Sequence, residues 1–329
     1  MQIKKIFSFV VFSFLSSTIL FAQSDADKIE VRVGGTFGKP KIMPSLSKLA
    51  IAQYAVNYKL TTTESVIGKE KSSGSIAGAK LTAFLEPTDG ELTQEDLQEV
   101  TDYGYNYFQK QLQANGVATV DWSTISGHEF YNTSKEKDDD KNKKGGNVWL
   151  TSNANNGNMF YDGGFGFGMG KANKAAKFSK DIDAPLAFFN LVVDFADILL
   201  NVDIKTARGG NYVMAGHPIK KTKSFKYEGT VTPDMNVTPS GMGTLSFLFN
   251  EKMHGESIMV KEPIFAGYKY STAVAEDESR IKNKAFAFAK SMKPVIIETT
   301  KAQYKEGAKK ALEKHADAFI AKAKSMKKG

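Results

Sequence analysis

The chain has 329 residues, a net charge of +8 and no cysteine, which rules out a disulfide framework and a cysteine nucleophile. The positive excess is local. Residues 277–329 carry 14 Lys/Arg against 6 Asp/Glu, while residues 23–276 carry 28 against 30. A nucleic-acid binder more often spreads a basic face over its folded domain, so this distribution argues against that class.

Residues 1–22 read as a secretory signal peptide. Lys4 and Lys5 form a positive n-region, and Ile6 to Phe21 form a 16-residue apolar stretch diluted by serines. Ala22 then offers the small residue a signal peptidase needs, with Gln23 as the first residue of the mature chain. A spanning helix takes roughly 20 apolar residues, so a retained anchor is the weaker reading. Cleavage leaves 307 residues, long enough for a core that needs no covalent staples. The expected location is extracytoplasmic: periplasmic, outer-membrane associated or secreted. The Phe21-Ala22-Gln23 ending resembles signal peptides of Bacteroidota.

Lys48 to Leu60 reads as a strand, nearly continuous in apolar character from Ile51 to Ala55 and alternating after it. Residues 66–78 read as a flexible excursion, and Ala79 to Leu85 as a second strand that stops at Pro87. A helix is expected over 93–114. Thr93 caps it, Asp96 occupies the reciprocal capping position, Leu92 staples onto Leu97, and Gly116 supplies a left-handed stop. Val117 to Trp122 reads as a strand again.

Residues 133–147, rich in Asp and Lys, form the clearest loop, and Val148 to Leu150 a short strand flanked by the polar stretch 153–158. Lys171 to Lys180 is a short helix. Pro185 opens the run from Leu186 to Phe195, too apolar for a sheet edge. From 198 to 275 turn signals at Gly209-Gly210, Thr232-Pro233-Asp234, Pro239-Ser240-Gly241 and His254-Gly255 indicate antiparallel hairpins. The tail from Asp277 reads as helical, interrupted at Pro294. Its last helix places Tyr304, Ala308, Leu312, His315, Phe319 and Ile320 on one face and lysines on the other. The string Ala-Lys-Ser-Met-Lys occurs at 289–293 and at 323–327, a short lysine-rich echo with no counterpart in the body.

The expected fold is therefore α/β or α+β: a layered sheet with helices, an antiparallel strand-rich second half and a basic C-terminal helical tail. The expected division is signal peptide 1–22, body 23–276 with a subdivision near 133–160 left open, and tail 277–329.

The order of an apolar strand at 48–60, a capped helix ending in Leu112-Gln113-Ala114-Asn115-Gly116, and the segment Val117 to Trp122 resembles a known arrangement. So does the later passage from Ala175-Ala176-Lys177-Phe178 through Asp181-Ile182-Asp183-Ala184-Pro185 into a strand. Over residues 23–215 the chain resembles the periplasmic domain of the curli-secretion lipoprotein (CsgG-like) family and the amino-terminal domain of TolB. The resemblance implies an envelope setting and α/β layering. The lipid-bearing cysteine of the curli family is absent and the loops at 63–78 and 133–160 are long for it, so no functional residue carries over.

Candidate chemistry is sparse. The glycine cluster from Asp162 to Lys171 has Phe165 where a phosphate-binding loop needs glycine, and Ala172 where it needs a hydroxyl. His128, His217, His254 and His315 lack metal-ligand spacing. Asp138, Asp139 and Asp140 alternate poorly for a calcium loop. Asp194 and Asp197 beside the apolar run are carboxylates suited to acid–base work if buried, or to an ion pair with a lysine. No serine sits in a nucleophile elbow. No cofactor and no metal are expected. The residues singled out for partner contact are Phe165 and Phe167 in the glycine cluster, and Phe319 and Lys322 in the tail. The expected function is non-enzymatic binding of an envelope protein, anionic lipid or polyanionic glycan through the basic tail. The alternatives are an extracytoplasmic hydrolase using carboxylates and an oligomeric secretion or pore component.

Overall fold

The computed structural model describes residues 25–33, 39–69, 76–131, 142–144, 146–160, 169–208, 221–240, 245–280 and 289–327. The fold is mixed α/β, and its centre is a sheet of 14 strands with the path β1-β12-β11-β7-β2-β3-β16-β14. These are β1 (Ile29–Val33), β2 (Lys48–Lys69), β3 (Ile76–Pro87), β7 (Leu186–Asp194), β11 (Ser246–Phe249), β12 (Gly255–Val260), β14 (Ser271–Glu276) and β16 (Val295–Thr299). The shorter β4 (Ala118–Thr119), β5 (Asn142–Lys144), β6 (Asn147–Asn153), β10 (Asn236–Val237), β13 (Ile264–Phe265) and β15 (Ala289–Ser291) branch from it. A separate two-stranded ribbon joins β8 (Asp197–Arg208) to β9 (Lys221–Thr232).

β2 and β7 run side by side in parallel, Ala50 opposite Leu186 and Tyr58 opposite Val193. Both faces of this pair are covered, which is why both strands read as apolar runs instead of alternating. On one face Tyr54, Val56, Phe189 and Leu191 join Leu97, Val100 and Phe108 of helix α1 (Gln94–Ala114) and Tyr304, Leu312 and Phe319 of helix α4 (Lys301–Lys327). On the other, Ala50, Ala52, Leu186 and Phe188 meet Ala175 and Phe178 of helix α3 (Met169–Asp181), with Phe130, Tyr131 and Phe160. This is a three-layered core of the kind that parallel strands require.

The capping signals at α1 hold. The Thr93 hydroxyl accepts from the Asp96 N–H, the Asp96 carboxylate accepts from the Thr93 N–H, and Gly116 sits at φ +76°. Leu92 and Leu97 are both buried at this end.

Four expectations change. β2 continues to Lys69 and β3 begins at Ile76, because each strand pairs with the other to its tip; the expected excursion is mostly hairpin. Val117 to Trp122 yields only two strand residues before the short helix α2 (Trp122–Ser126), since β4 reaches just the first residues of β2. Residues 142–144, expected as loop, pair with β6. The tail is not helical from Asp277. Its described part has a single 3-10 turn at Glu278–Arg280, then β15 and β16 in parallel pairing with β3, and a helix only from Lys301. β-branched Val295, Ile296 and Ile297 favour extended backbone, and a parallel slot beside β3 is open to them. The string shared by 289–293 and 323–327 thus begins in a strand in one copy and lies at a helix end in the other, so local sequence did not decide its conformation.

α4 lies against α1 through Gly104, where an added Cβ would come 2.6 Å from Leu312 Cδ1 and 3.1 Å from the Tyr54 hydroxyl. Phe108 and Phe319 meet edge to face across this contact at 5.1 Å. Gly104→Val is expected to lower stability by about 2 kcal/mol, the scale of overpacking a tight core, read as a drop in the urea midpoint at unchanged slope.

Candidate functional site

β7 leaves the sheet at Asp194, and the chain turns through Phe195 and Ala196 into the ribbon. Asp194 is only 4% exposed. Its Oδ2 accepts from Lys59 Nζ at 2.5 Å, and its Oδ1 from the Thr62 hydroxyl at 2.6 Å and from the Ala196 N–H at 3.3 Å. The bond to Ala196, two residues on, is an Asx-type clasp that bends its own backbone. The Tyr270 hydroxyl donates to the Phe195 carbonyl and holds the bend from the other side. Lys59 and Thr62 come from β2, so the pivot ties ribbon and sheet together.

Other carboxylates stand around this pivot. Burial raises Glu64, and the charges of Asp194 and Asp197 add to the shift. Burial also raises Asp234, again with help from Asp197. Among the described residues no group of three or more His, Cys, Asp or Glu could hold a metal ion. Asp194, the carboxylate singled out for acid–base work, is thus occupied by a lysine, a hydroxyl and a backbone amide, the ion-pair outcome of the two that its sequence context allowed.

A second buried carboxylate lies at the far end of the sheet. Glu256, on β12 and fully buried, accepts from the N–H groups of Lys41, Ile42 (2.6 Å) and Met43 (2.9 Å), which lead into the 3-10 turn Met43–Ser45. His254 Nε2 stands 3.4 Å from the same carboxylate. Nothing local in the sequence marks Glu256, because its partners lie more than 200 positions away.

The remaining histidines are apart. His128 pairs with Asp181 at 3.2 Å and stacks on Phe178 at 4.1 Å. His315 is buried in α4 beside Phe189, and burial lowers its imidazole to about 4. Ala22, Gln23, Phe165, Phe167 and His217 lie outside the described residues.

The expected contact on the tail is corrected in one respect. Phe319 is fully buried against Phe108 and Phe189, because the apolar face of α4 already covers this chain's own sheet; its ring cannot meet a partner while α4 is docked. Lys322 is half-buried and near Glu30, whose carboxyl is lowered chiefly by Arg32 and partly by Lys261 and Lys322. Much of the tail's charge also has partners at home. Lys301 meets Asp96 at 3.1 Å, and Lys305 and Lys309 each meet Glu99 at 2.7 Å.

The ribbon was legible only as turns and short strands, yet it is one long two-stranded element whose β9 face is largely exposed. Its full register runs from Asp197 opposite Thr232 to Arg208 opposite Lys221. Near the pivot it packs on the sheet. A Cβ on Gly229 would touch Leu200, Leu81 and Met292, each at 2.9 Å, and one on Gly68 would come 3.0 Å from the Val202 carbonyl. Two pairs beyond Val202, Ile204 stands opposite Phe225. Phe225 is 43% exposed and stacks on Tyr227 at 6.5 Å. From Ser224 to Thr230 every residue of β9 except Tyr227 is exposed.

No described helix is long and apolar enough to cross a membrane. Comparison with family models, curated proteins and solved structures finds no match to this chain.

Proposed function

We propose that this chain is an exported protein of a bacterial envelope that acts by binding, holding a partner protein or a membrane surface outside the cytoplasm. The observation that carries the reading is the closure of Asp194. Both oxygens are engaged by Lys59, Thr62 and Ala196, at the bend where β7 passes into the β8–β9 ribbon. A carboxylate so placed positions an arm and is poorly suited to exchanging protons with a substrate. The lysine-poor, serine-diluted apolar stretch at 6–21 and the outline likeness to curli-secretion and TolB domains support the envelope setting.

Two measurements test the reading. Cell fractionation with amino-terminal sequencing is expected to find the protein outside the cytoplasm, beginning at Gln23; a cytoplasmic protein beginning at Met1 would overturn the export half. Asp194→Asn is expected to cost about 3 kcal/mol of stability by leaving Lys59 part-buried without its counter-charge. A variant that keeps its melting temperature but loses a hydrolytic turnover present in the wild type would overturn the binding half.

A further inference from the structure

The 14-stranded sheet ends differently on its two sides. At one end β1 carries Glu30 and Arg32, paired at 2.9 Å, and charges of this kind are how natural sheets blunt an open edge. At the other end stands β14, Ser271-Thr272-Ala273-Val274-Ala275-Glu276, with no lysine, arginine or proline and one carboxylate at its last position. Among the described residues β14 pairs with β16 alone. Thr272 to Glu276 are all exposed, Val274 at 47%. Successive side chains of a strand point to opposite faces, so five exposed residues in a row leave neither face covered. The outer row of backbone N–H and C=O groups is open to a further strand. From Ala273 to Glu276 the strand keeps a regular register with β16, and its one irregularity lies between Ser271 and Ala273.

We infer that β14 is a homodimer interface, in which the same strand of a second copy lies antiparallel to it about a two-fold axis at Val274 and joins the two sheets into one. The inference goes beyond the binding role proposed above and does not depend on it. Charge selects a second copy as the occupant. An antiparallel pair centred on Val274 puts this valine opposite its own copy, Ala273 opposite Ala275, and Glu276 opposite Thr272, so no like charges meet across the strands. Glu276 is also balanced within its own chain, because Lys293 lies 3.5 Å from it and 2.5 Å from Glu278. A slip that centred the pair on Glu276 would oppose two carboxylates, which disfavours that register. One short strand buries much less than the roughly 1,200 Å² of a stable interface, so the dimer is expected to be weak, with a Kd above about 1 µM.

The test is sedimentation velocity of the protein, as expressed, over a concentration series, with hydrogen exchange followed by mass spectrometry at its two ends. The wild type is expected to pass from monomer to dimer as concentration rises, and peptides covering 271–276 to exchange more slowly at the high end. Val274→Lys and Val274→Glu are each expected to weaken the dimer about tenfold, since like charges then oppose each other at the axis and the valine pair is lost. Mixed in equal amounts, the two variants are expected to regain the dimer, because lysine then faces glutamate. Loss of stability at position 274 would not produce that recovery, so a lowered melting temperature in either variant leaves the test decisive.

A wild type that stays monomeric throughout overturns the inference. A dimer that both single variants form as well as the wild type places the interface elsewhere and overturns it too. If each variant is monomeric and their mixture remains so, Val274 does not face its own copy and the two-fold pairing falls.

Discussion

Stability is expected to fall by about 3 kcal/mol as pH drops from 6.5 to 4, and His315→Leu is expected to flatten that loss. His315 is buried beneath α4, and desolvation alone lowers its imidazole from 6.5 to about 4. The unfolded chain therefore takes up a proton near pH 6.5, whereas the folded chain resists until about pH 4. Across that window the unfolded state binds more protons, so acid favours unfolding; above 6.5 the stabilisation is complete. Asp96 acts in a lower window. Partial burial pushes its carboxyl up, but hydrogen bonds from Thr93 and Lys301 outweigh this and hold it at about 2. Its contribution is complete above pH 3.8 and is lost only as pH falls toward 2. Urea unfolding at intervals from pH 7 to pH 2 separates the two groups. Parallel profiles for wild type and His315→Leu would remove His315 from the explanation.

Glu256→Ala is expected to be the most damaging single substitution in the sheet, costing about 4 kcal/mol. The carboxylate neutralises three consecutive backbone N–H groups at Lys41, Ile42 and Met43, and those at Ile42 and Met43 are bonded in buried surroundings. Truncation leaves the Ile42 and Met43 N–H groups unpaired in buried surroundings. Glu256→Gln keeps an acceptor oxygen and much of the shape, so an intermediate loss is expected. Equilibrium denaturation of both variants checks the order. A loss below about 1 kcal/mol for Glu256→Ala would mean that the 39–45 segment finds other acceptors.

Much of α1 was legible because its signals are local. Thr93, Asp96 and Gly116 act on backbone groups within one turn, so their chemistry does not depend on the rest of the molecule. The run at 186–195 was legible as a central strand for a related reason: only burial on both faces accommodates Phe188 and Phe189 side by side. The segment 277–299 was not legible. Its lysines suit a solvated helix, and its β-branched residues suit a strand. The decision came from an unfilled parallel position beside β3, more than 200 residues earlier in the chain. The candidate sites divide in the same way. Asp194 stands out locally as a carboxylate ending an apolar run, but Lys59 and Thr62 come from another strand and decide that it is a pivot. Glu256 had no local mark at all.

By itself, the sequence determined the α/β layering, the capped helix, the central strand and the clustering of positive charge at the C-terminal end, because periodicity, capping and charge are properties of neighbouring residues. Only the tertiary structure decided what those features face. The apolar side of the last helix proved to be the cover of the protein's own core, and three of its lysines, Lys301, Lys305 and Lys309, the partners of Asp96 and Glu99. Part of a stretch that read as ordinary hairpins proved to be one long two-stranded ribbon packed beside the sheet. The reason is physical: a helix or strand carries its amphipathic pattern wherever it goes, and which surface satisfies that pattern is settled only when distant segments compete to cover it.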